Sequence, residues 1–270
     1  MFILLLMLPV LLLAALWWGN STVELKTYEI EGSLPESFQG FTIVQISDLH
    51  NCSLGKNNKR ILDKIKEAKP HIIVMTGDMI DSRRTNIDIS IAFVKEALKI
   101  APCYYVTGNH EARVNYAGDD FVLFKSAVKE AGVVVLENES CEIVKGNEKI
   151  TLIGLEDTGF DFSKTATELL CEAMPEDENY KILLAHRPEF FDEYTNVDLI
   201  FSGHAHGGQI RLPFIGGLFA PGQGILPKYD NGLYNEGGRT MVVSRGLGAS
   251  LFPIRINNRP QVVSVKLKAQ

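Results

Sequence analysis

The chain has no excess of positive charge: 27 Lys and Arg stand against 33 Asp and Glu, for a formal net charge of −6. Nucleic-acid binding ordinarily leaves a basic footprint, so no nucleic-acid partner is expected. A cysteine framework is missing as well. The four cysteines (Cys52, Cys103, Cys141 and Cys171) form no CxxC pair. That excludes a structural zinc pattern and defines no disulfide pairing. Cys103 and Cys141 lie in apolar stretches and read as buried thiols. Cys52 is two residues from His50 and conceivable as a ligand, but other donors suffice without it. After about residue 24 there is no Ser/Pro/Gly-rich linker, low-complexity tract or long-period repeat. With 46% hydrophobic and 22% charged residues, disorder is excluded too. The 270 residues suffice for one large α/β domain or two small ones.

Charge is absent altogether from Met1 to Val23, and Phe2 to Trp18 is apolar throughout apart from the break at Pro9. As a helix, such a run spans about 25 Å, at the short end for a bilayer core of about 30 Å. Trp17 and Trp18 at its end suit an interfacial aromatic belt. No basic n-region precedes the run and no A-x-A site precedes Gly19, so a retained anchor is favoured over a cleaved signal sequence. Residues 1–23 are therefore expected to be a single-pass anchor in the lipid bilayer of the cell membrane. Residues 24–270 would form the folded domain, held close to the membrane surface on its extracytoplasmic side.

Short β-rich runs then alternate with helical patterns. Strands are expected at Phe41–Ser47, His71–Thr76 and Cys103–Thr107, with amphipathic helices at Asn57–Lys69, Asp88–Ile100 and Asp119–Ala131. The second half is richer in strands: Val133–Leu136, Glu142–Val144, Ile150–Gly154, Lys181–Ala185, Leu199–Ser202, Met241–Ser244 and Val262–Leu267. Thr165–Cys171 and Pro188–Tyr194 read as helical. This order suggests an α/β fold of mixed sheets with helices outside.

Histidine is scarce, six in all, and its placement is the main functional signal. Four histidines fall in the blocks Asp48-Leu49-His50, Gly108-Asn109-His110-Glu111 and Gly203-His204-Ala205-His206. A further block is Gly77-Asp78, and His186 stands alone. Asp48, Asp78, Asn109, His186 and His204 each follow an expected strand, so the sheet ends can deliver them to one crevice. Carboxylate, amide and imidazole donors together suit Mn, Fe or Zn, and two such cations need a shared anionic ligand. Asp48 and His50 can reach one ion, and Asp78 is suited to bridging. Asn109 supplies oxygen without charge, and His186, His204 and His206 complete the shell. His110 is left over and suits acid or electrostatic work on a leaving oxygen. His71 fits no block.

Taken in order, these blocks resemble the calcineurin-like metallophosphoesterases over roughly residues 41–250. Gly203–Gln209, Lys228–Tyr234 and Ser244–Gly248 resemble the membrane-anchored or exported bacterial branch of YkuE/YaeI type. The resemblance implies a sandwich of two mixed β-sheets flanked by helices, here preceded by a transmembrane helix. It implies two divalent ions, Mn first: one held by Asp48, His50, Asp78 and His206, the other by Asp78, Asn109, His186 and His204. His110 would be the catalytic residue, and Asp81 would support the metal site as an outer acceptor or be a solvated loop acid. The implied substrate is a phosphodiester or pyrophosphate in an envelope-associated molecule, such as a UDP-linked acylated sugar. A phosphomonoesterase, or a non-catalytic metal-stabilised binding module, is the alternative. Arg83 and Arg113 could bind phosphate or be surface charges. Leu212–Pro221 is unusually apolar for a loop rich in Gly and Pro, and could border the site as an apolar wall or membrane-dipping segment that admits a lipid-like substrate, or simply pack on the core.

Overall fold

The computed structural model describes residues 2–249 and 253–270, the side chains at 2–8 and 12 excepted. Its strands are β1 (Glu24–Gly32), β2 (Thr42–Ile46), β3 (Ile72–Thr76), β4 (Cys103–Val106), β5 (Val134–Val135), β6 (Glu139–Lys145), β7 (Glu148–Gly154), β8 (Lys181–Leu184) and β9 (Leu199–Ser202). Four two-residue strands follow: β10 (Arg211–Leu212), β11 (Gly216–Gly217), β12 (Phe219–Ala220) and β13 (Gly224–Ile225). The last are β14 (Gly232–Glu236), β15 (Arg239–Val243) and β16 (Gln261–Ala269). The helices are α1 (Phe2–Ser21), α2 (Lys59–Ala68), α3 (Ile87–Leu98), α4 (Asn109–Ala117), α5 (Asp120–Ala131) and α6 (Ala166–Ala173).

Two six-stranded sheets form, in the orders β1-β16-β2-β3-β4-β5 and β14-β15-β9-β8-β7-β6. Both are mixed: β2-β3-β4-β5 and β15-β9-β8-β7 run parallel, whereas β16 meets β2 and β6 meets β7 antiparallel. Alternate residues of each strand serve different cores, as a period of two requires. Ile43, Val74 and Val106 meet Leu152, Ile182, Leu184 and Phe201 between the sheets. Val44, Ile46, Ile73 and Met75 face the other way, onto Ile61 and Ile65 of α2, Phe93 of α3 and Phe124 of α5. Ile153, Leu183 and Ile200 do the same against Leu169 and Leu170 of α6. The result is helix, sheet, sheet, helix, and every interior strand is covered on both faces.

Several elements differ from expectation. β1 begins at Glu24, and its charged Glu24, Lys26, Glu29 and Glu31 fit an edge strand paired on one side only, with β16. Gly108–Glu111 opens helix α4, where a loop was expected. Pro188–Glu193 is a 3-10 segment. The anchor expected over residues 1–23 falls partly outside the described residues, since Met1 and the side chains at 2–8 and 12 are not described. The backbone of this region is the helix α1, but among the described residues no helix is long and apolar enough to cross a membrane.

Candidate metal centre

Four of the five residues expected to follow a strand sit two residues past a strand end. β2, β3, β8 and β9 stop at Ile46, Thr76, Leu184 and Ser202, and Asp48, Asp78, His186 and His204 follow. Asn109 stands three residues past β4, as the first residue of α4. Because these strands run parallel within each sheet, their carboxyl ends open on one edge of the sandwich. The turns there are tight. Asp48, His50, Asp78, His204 and His206 all adopt positive φ, between 47° and 63°. Asn, Asp and His tolerate that region best among residues with a side chain, and its cost is typically met at functional sites. Gly203 allows the two sheets' edges to touch, since a Cβ there would lie 1.9 Å from Ser47 Oγ and 2.6 Å from Asp48 Oδ2.

The side chains converge on Asp78. Its Oδ2 lies 3.5 Å from His50 Nε2 and 3.4 Å from His186 Nε2, between two halves of the cluster. In one half, His206 Nε2 is 3.2 Å from His50 Nε2 and 3.3 Å from Asp48 Oδ1. In the other, His186 Nε2 is 3.1 Å from His204 Nδ1 and 3.3 Å from Asn109 Oδ1. The ligand atoms of Asp48, His50, Asp78 and His206 lie within 4.8 Å of one another, and so do those of Asp78, His186 and His204. All are buried.

Whether these residues fit metal ions can be tested on the protons. His186 Nδ1 is 2.7 Å from the Thr76 carbonyl and so donates, which leaves Nε2 of the neutral ring with a bare lone pair. That lone pair faces Asp78 Oδ2, Asn109 Oδ1 and His204 Nδ1. Burial lowers the His186 pKa, but Asp78, with help from Asp48 and Asp157, overrides it and lifts it to about 10. Burial and the Asp78 charge likewise push Asp48 up to about 6. His204 and His206 are held well below their usual range by burial, then by the imidazole beside each. Without metal, a proton on His186 answers the buried Asp48 and Asp78 carboxylates; facing the neutral His50, His204 and His206 rings, the mixed O and N donors fit a pair of divalent ions that would replace it.

His110 stands beside this cluster. Its ring lies edge-on to His50 with centroids 4.4 Å apart. Its Nδ1 accepts from the Ser82 backbone N–H at 3.0 Å, so the neutral ring carries its proton on Nε2. Asp81 Oδ1 is 3.5 Å from the same Nδ1, placed to pair with the ring when protonated. Burial pulls the His110 pKa down while Asp78 and Asp81 oppose it. A small cleft lined by Asp78, Asn109, His110, His204 and His206 is completed by Arg83, Arg113 and Pro221. His71 lies elsewhere, its Nδ1 accepting from the Thr42 N–H and its ring stacked on Phe41. Cys52 belongs to neither ligand group; burial pushes its thiol up to about 12, away from the thiolate a ligand needs.

Several supporting residues carry no motif of their own. Glu111 is fully buried and accepts backbone N–H bonds from Gly108, Asp78, Met79 and Ile80 at 2.7–3.1 Å, so one carboxylate fastens two of the ligand loops. Gln45 donates to Thr76 Oγ1 and to the Ser202 carbonyl, linking the two sheets under the site. Arg187 is held by Asp157 at 2.7 and 3.0 Å and leans on Glu189 at 3.5 Å. Glu189 Oε1 is in turn 3.6 Å from His204 Nε2, the ring nitrogen turned away from the cluster. The Glu that closes Gly-Asn-His-Glu and a Glu three residues past His186 are the sequence traces of Glu111 and Glu189.

This centre is that of a metal-dependent phosphoesterase. The calcineurin-like phosphoesterase family model matches residues 41–208, and the chain belongs to that family. It is 33% identical over 261 residues to "uncharacterized metallophosphoesterase YkuE" of Bacillus subtilis, covering 92% of this chain and 86% of that protein. It is 30% identical over 211 residues to "phosphodiesterase YaeI" of Escherichia coli, covering 74% of this chain and 72% of that protein. The phosphopantetheinyl hydrolase PptH of Mycobacterium tuberculosis aligns in structure with a TM-score of 0.44 at 14% identity, over 78% of this chain and 91% of that chain.

Proposed function

We propose that the chain hydrolyses a phosphodiester or pyrophosphate bond with two divalent ions, Mn foremost and Fe or Zn as alternatives. The supporting observation is the Asp78 carboxylate shared by two half-sites. Asp48, His50, Asp78 and His206 are assigned to one ion, and Asp78, Asn109, His186 and His204 to the other. When bound, the ions lower the pKa of an attacking water and offset charge on the phosphoryl oxygens. Asn109 supplies an oxygen donor without adding charge, leaving room for an anionic substrate. Once protonated, with its Nδ1–H turned to Asp81 Oδ1 in place of the Ser82 N–H, His110 can give its Nε2 proton to the departing oxygen and return to the neutral ring. The resemblance to a named phosphodiesterase supports the diester preference. Arg83 and Arg113 beside the cleft favour a second reading, a phosphomonoesterase gripping terminal phosphate oxygens.

The N-terminal segment is assigned to a lipid bilayer, on the strength of its apolar run, with an envelope-associated substrate on the extracytoplasmic side. Membrane fractionation with protease access from either face tests that placement; full recovery in the soluble fraction contradicts it. For the chemistry, Mn-supplemented protein is offered a chromogenic diester and the matching monoester. Diester turnover is expected, and turnover of the monoester alone overturns the ranking. His110→Ala should lower kcat on the diester by about a hundredfold or more. Wild-type turnover by that variant removes the role given to His110.

A further inference from the structure

We propose that the catalytic domain itself carries a docking face for an anionic bilayer, made by the lobe at residues 210–226, the 253–259 segment and the end of α1. It extends the bilayer assignment of the N-terminal segment onto the folded domain, and bears on how substrate reaches the metal cleft. The lobe is a pair of two-residue hairpins, β10-β11 and β12-β13. Their apolar side chains point outward: Phe214 is fully exposed, Ile225 is 81% exposed, and Ile215 and Leu226 are exposed as well. Phe214 and Leu226 also hold positive φ, at 67° and 54°, which is costly for bulky residues. Presenting an aromatic ring to solvent from a strained hairpin tip gains nothing within the folded chain. Seating it in the headgroup and acyl boundary of a bilayer recovers its apolar burial.

Backbone and side-chain hydrogen bonds connect this tip to α1. Leu212 leads to Arg211, whose N–H donates to the Ile256 carbonyl, and Ile210 bridges Ile256. Ile254 and Ile256 are exposed apolar residues on either side of Arg255. Asn20 of α1 then bonds Arg255 twice, accepting from its N–H and donating to its carbonyl at 2.8 and 2.9 Å. Beyond Asn20, Trp17 and Trp18 are exposed, and they are the only tryptophans of the chain. At its other end the lobe borders the metal cleft through Pro221, and Gly222 packs on Glu189.

Arginines gather where this face meets α1. A cleft of about 500 Å³ between α1 and the domain is lined by Arg245, Arg255 and Arg259, with Glu24 its one carboxylate. Glu24 is shared between Arg245 and Arg259. Arg259 also lies over the Trp18 ring, and Arg60 donates to the Ser21 carbonyl at the end of α1. Arg255 is buried on backbone carbonyls and Arg245 is largely buried against Glu24, so the charge open to anionic headgroups beside the apolar patch is that of Arg259 and the exposed Arg60.

The test follows amide hydrogen exchange of the full chain with vesicles of phosphatidylcholine, with and without phosphatidylglycerol. Slowed exchange is expected at 210–226 and 253–260 with the anionic vesicles, less with the neutral ones, and none at 210–226 with soluble glycerol phosphate. Phe214→Ser with Ile225→Ser should weaken vesicle binding about tenfold. Arg259→Gln should weaken it about fivefold on anionic vesicles, an effect abolished by high salt. Both variants should keep wild-type turnover of a soluble diester. Protection confined to α1, or vesicle binding unchanged in both variants, overturns the docking face. Because soluble turnover is read separately, loss of the phosphoesterase reading would show there and not in the vesicle result.

Discussion

At the residue scale, the ligand-type side chains were legible because each is chemically conspicuous. Asp48, His50, Asp78, Asn109, His186, His204 and His206 are donors set beside turn residues, and folding brings all of them into one buried cluster. Glu189 was not legible. Nothing in Arg187-Pro188-Glu189 marks a carboxylate that reaches a histidine 15 positions later in the chain, and only the 3-10 turn at Pro188–Glu193 puts it there. Its Oε1 lies 3.6 Å from His204 Nε2, close enough to fix the ring once a cation draws on Nδ1. Glu189→Gln should therefore weaken Mn binding about tenfold or more in calorimetric titration, with the thermal midpoint of the metal-free protein little changed. Unchanged affinity would mean that Glu189 serves only the Arg187 pair.

At the element scale, period and length identified most interior strands within a residue or two, since their apolar runs are buried on both faces. α4 was missed because its N-cap is Gly108, without the Ser, Thr or Asp that announces a helix; the Glu111 reach-back alone completes the cap. That missed helix explains the fourth residue of Gly-Asn-His-Glu. Glu111 turns the helix start into a clamp on the loop carrying Asp78. Glu111→Leu would leave these buried N–H groups without acceptors and should cost about 3 kcal/mol or more, read from the urea midpoint. A loss under about 1 kcal/mol would show that the clamp is dispensable. β1 and the hairpins of 211–225 were missed for another reason. An edge strand takes its form from a partner distant in sequence, here β16, and two-residue ladders such as Arg211–Leu212 on Gly216–Gly217 are too short to show a period.

At the scale of the whole molecule, the two sheets do for the metal centre what neither could alone. Asp48, Asp78 and Asn109 come from the edge of one sheet; His186, His204 and His206 come from the edge of the other. Bound ions would therefore tie the halves of the sandwich together, and metal binding is coupled to stability by mass action. The clearest measurement is a titration of the metal-free full chain with Mn, following bound metal, thermal midpoint and diester turnover together. Two equivalents should bind, with a midpoint rise of about 5 °C at saturation and turnover appearing with the second equivalent. Asp78→Ala should lose both the second equivalent and turnover. Full turnover at one equivalent, or in the absence of metal, would contradict a dinuclear centre built on Asp78.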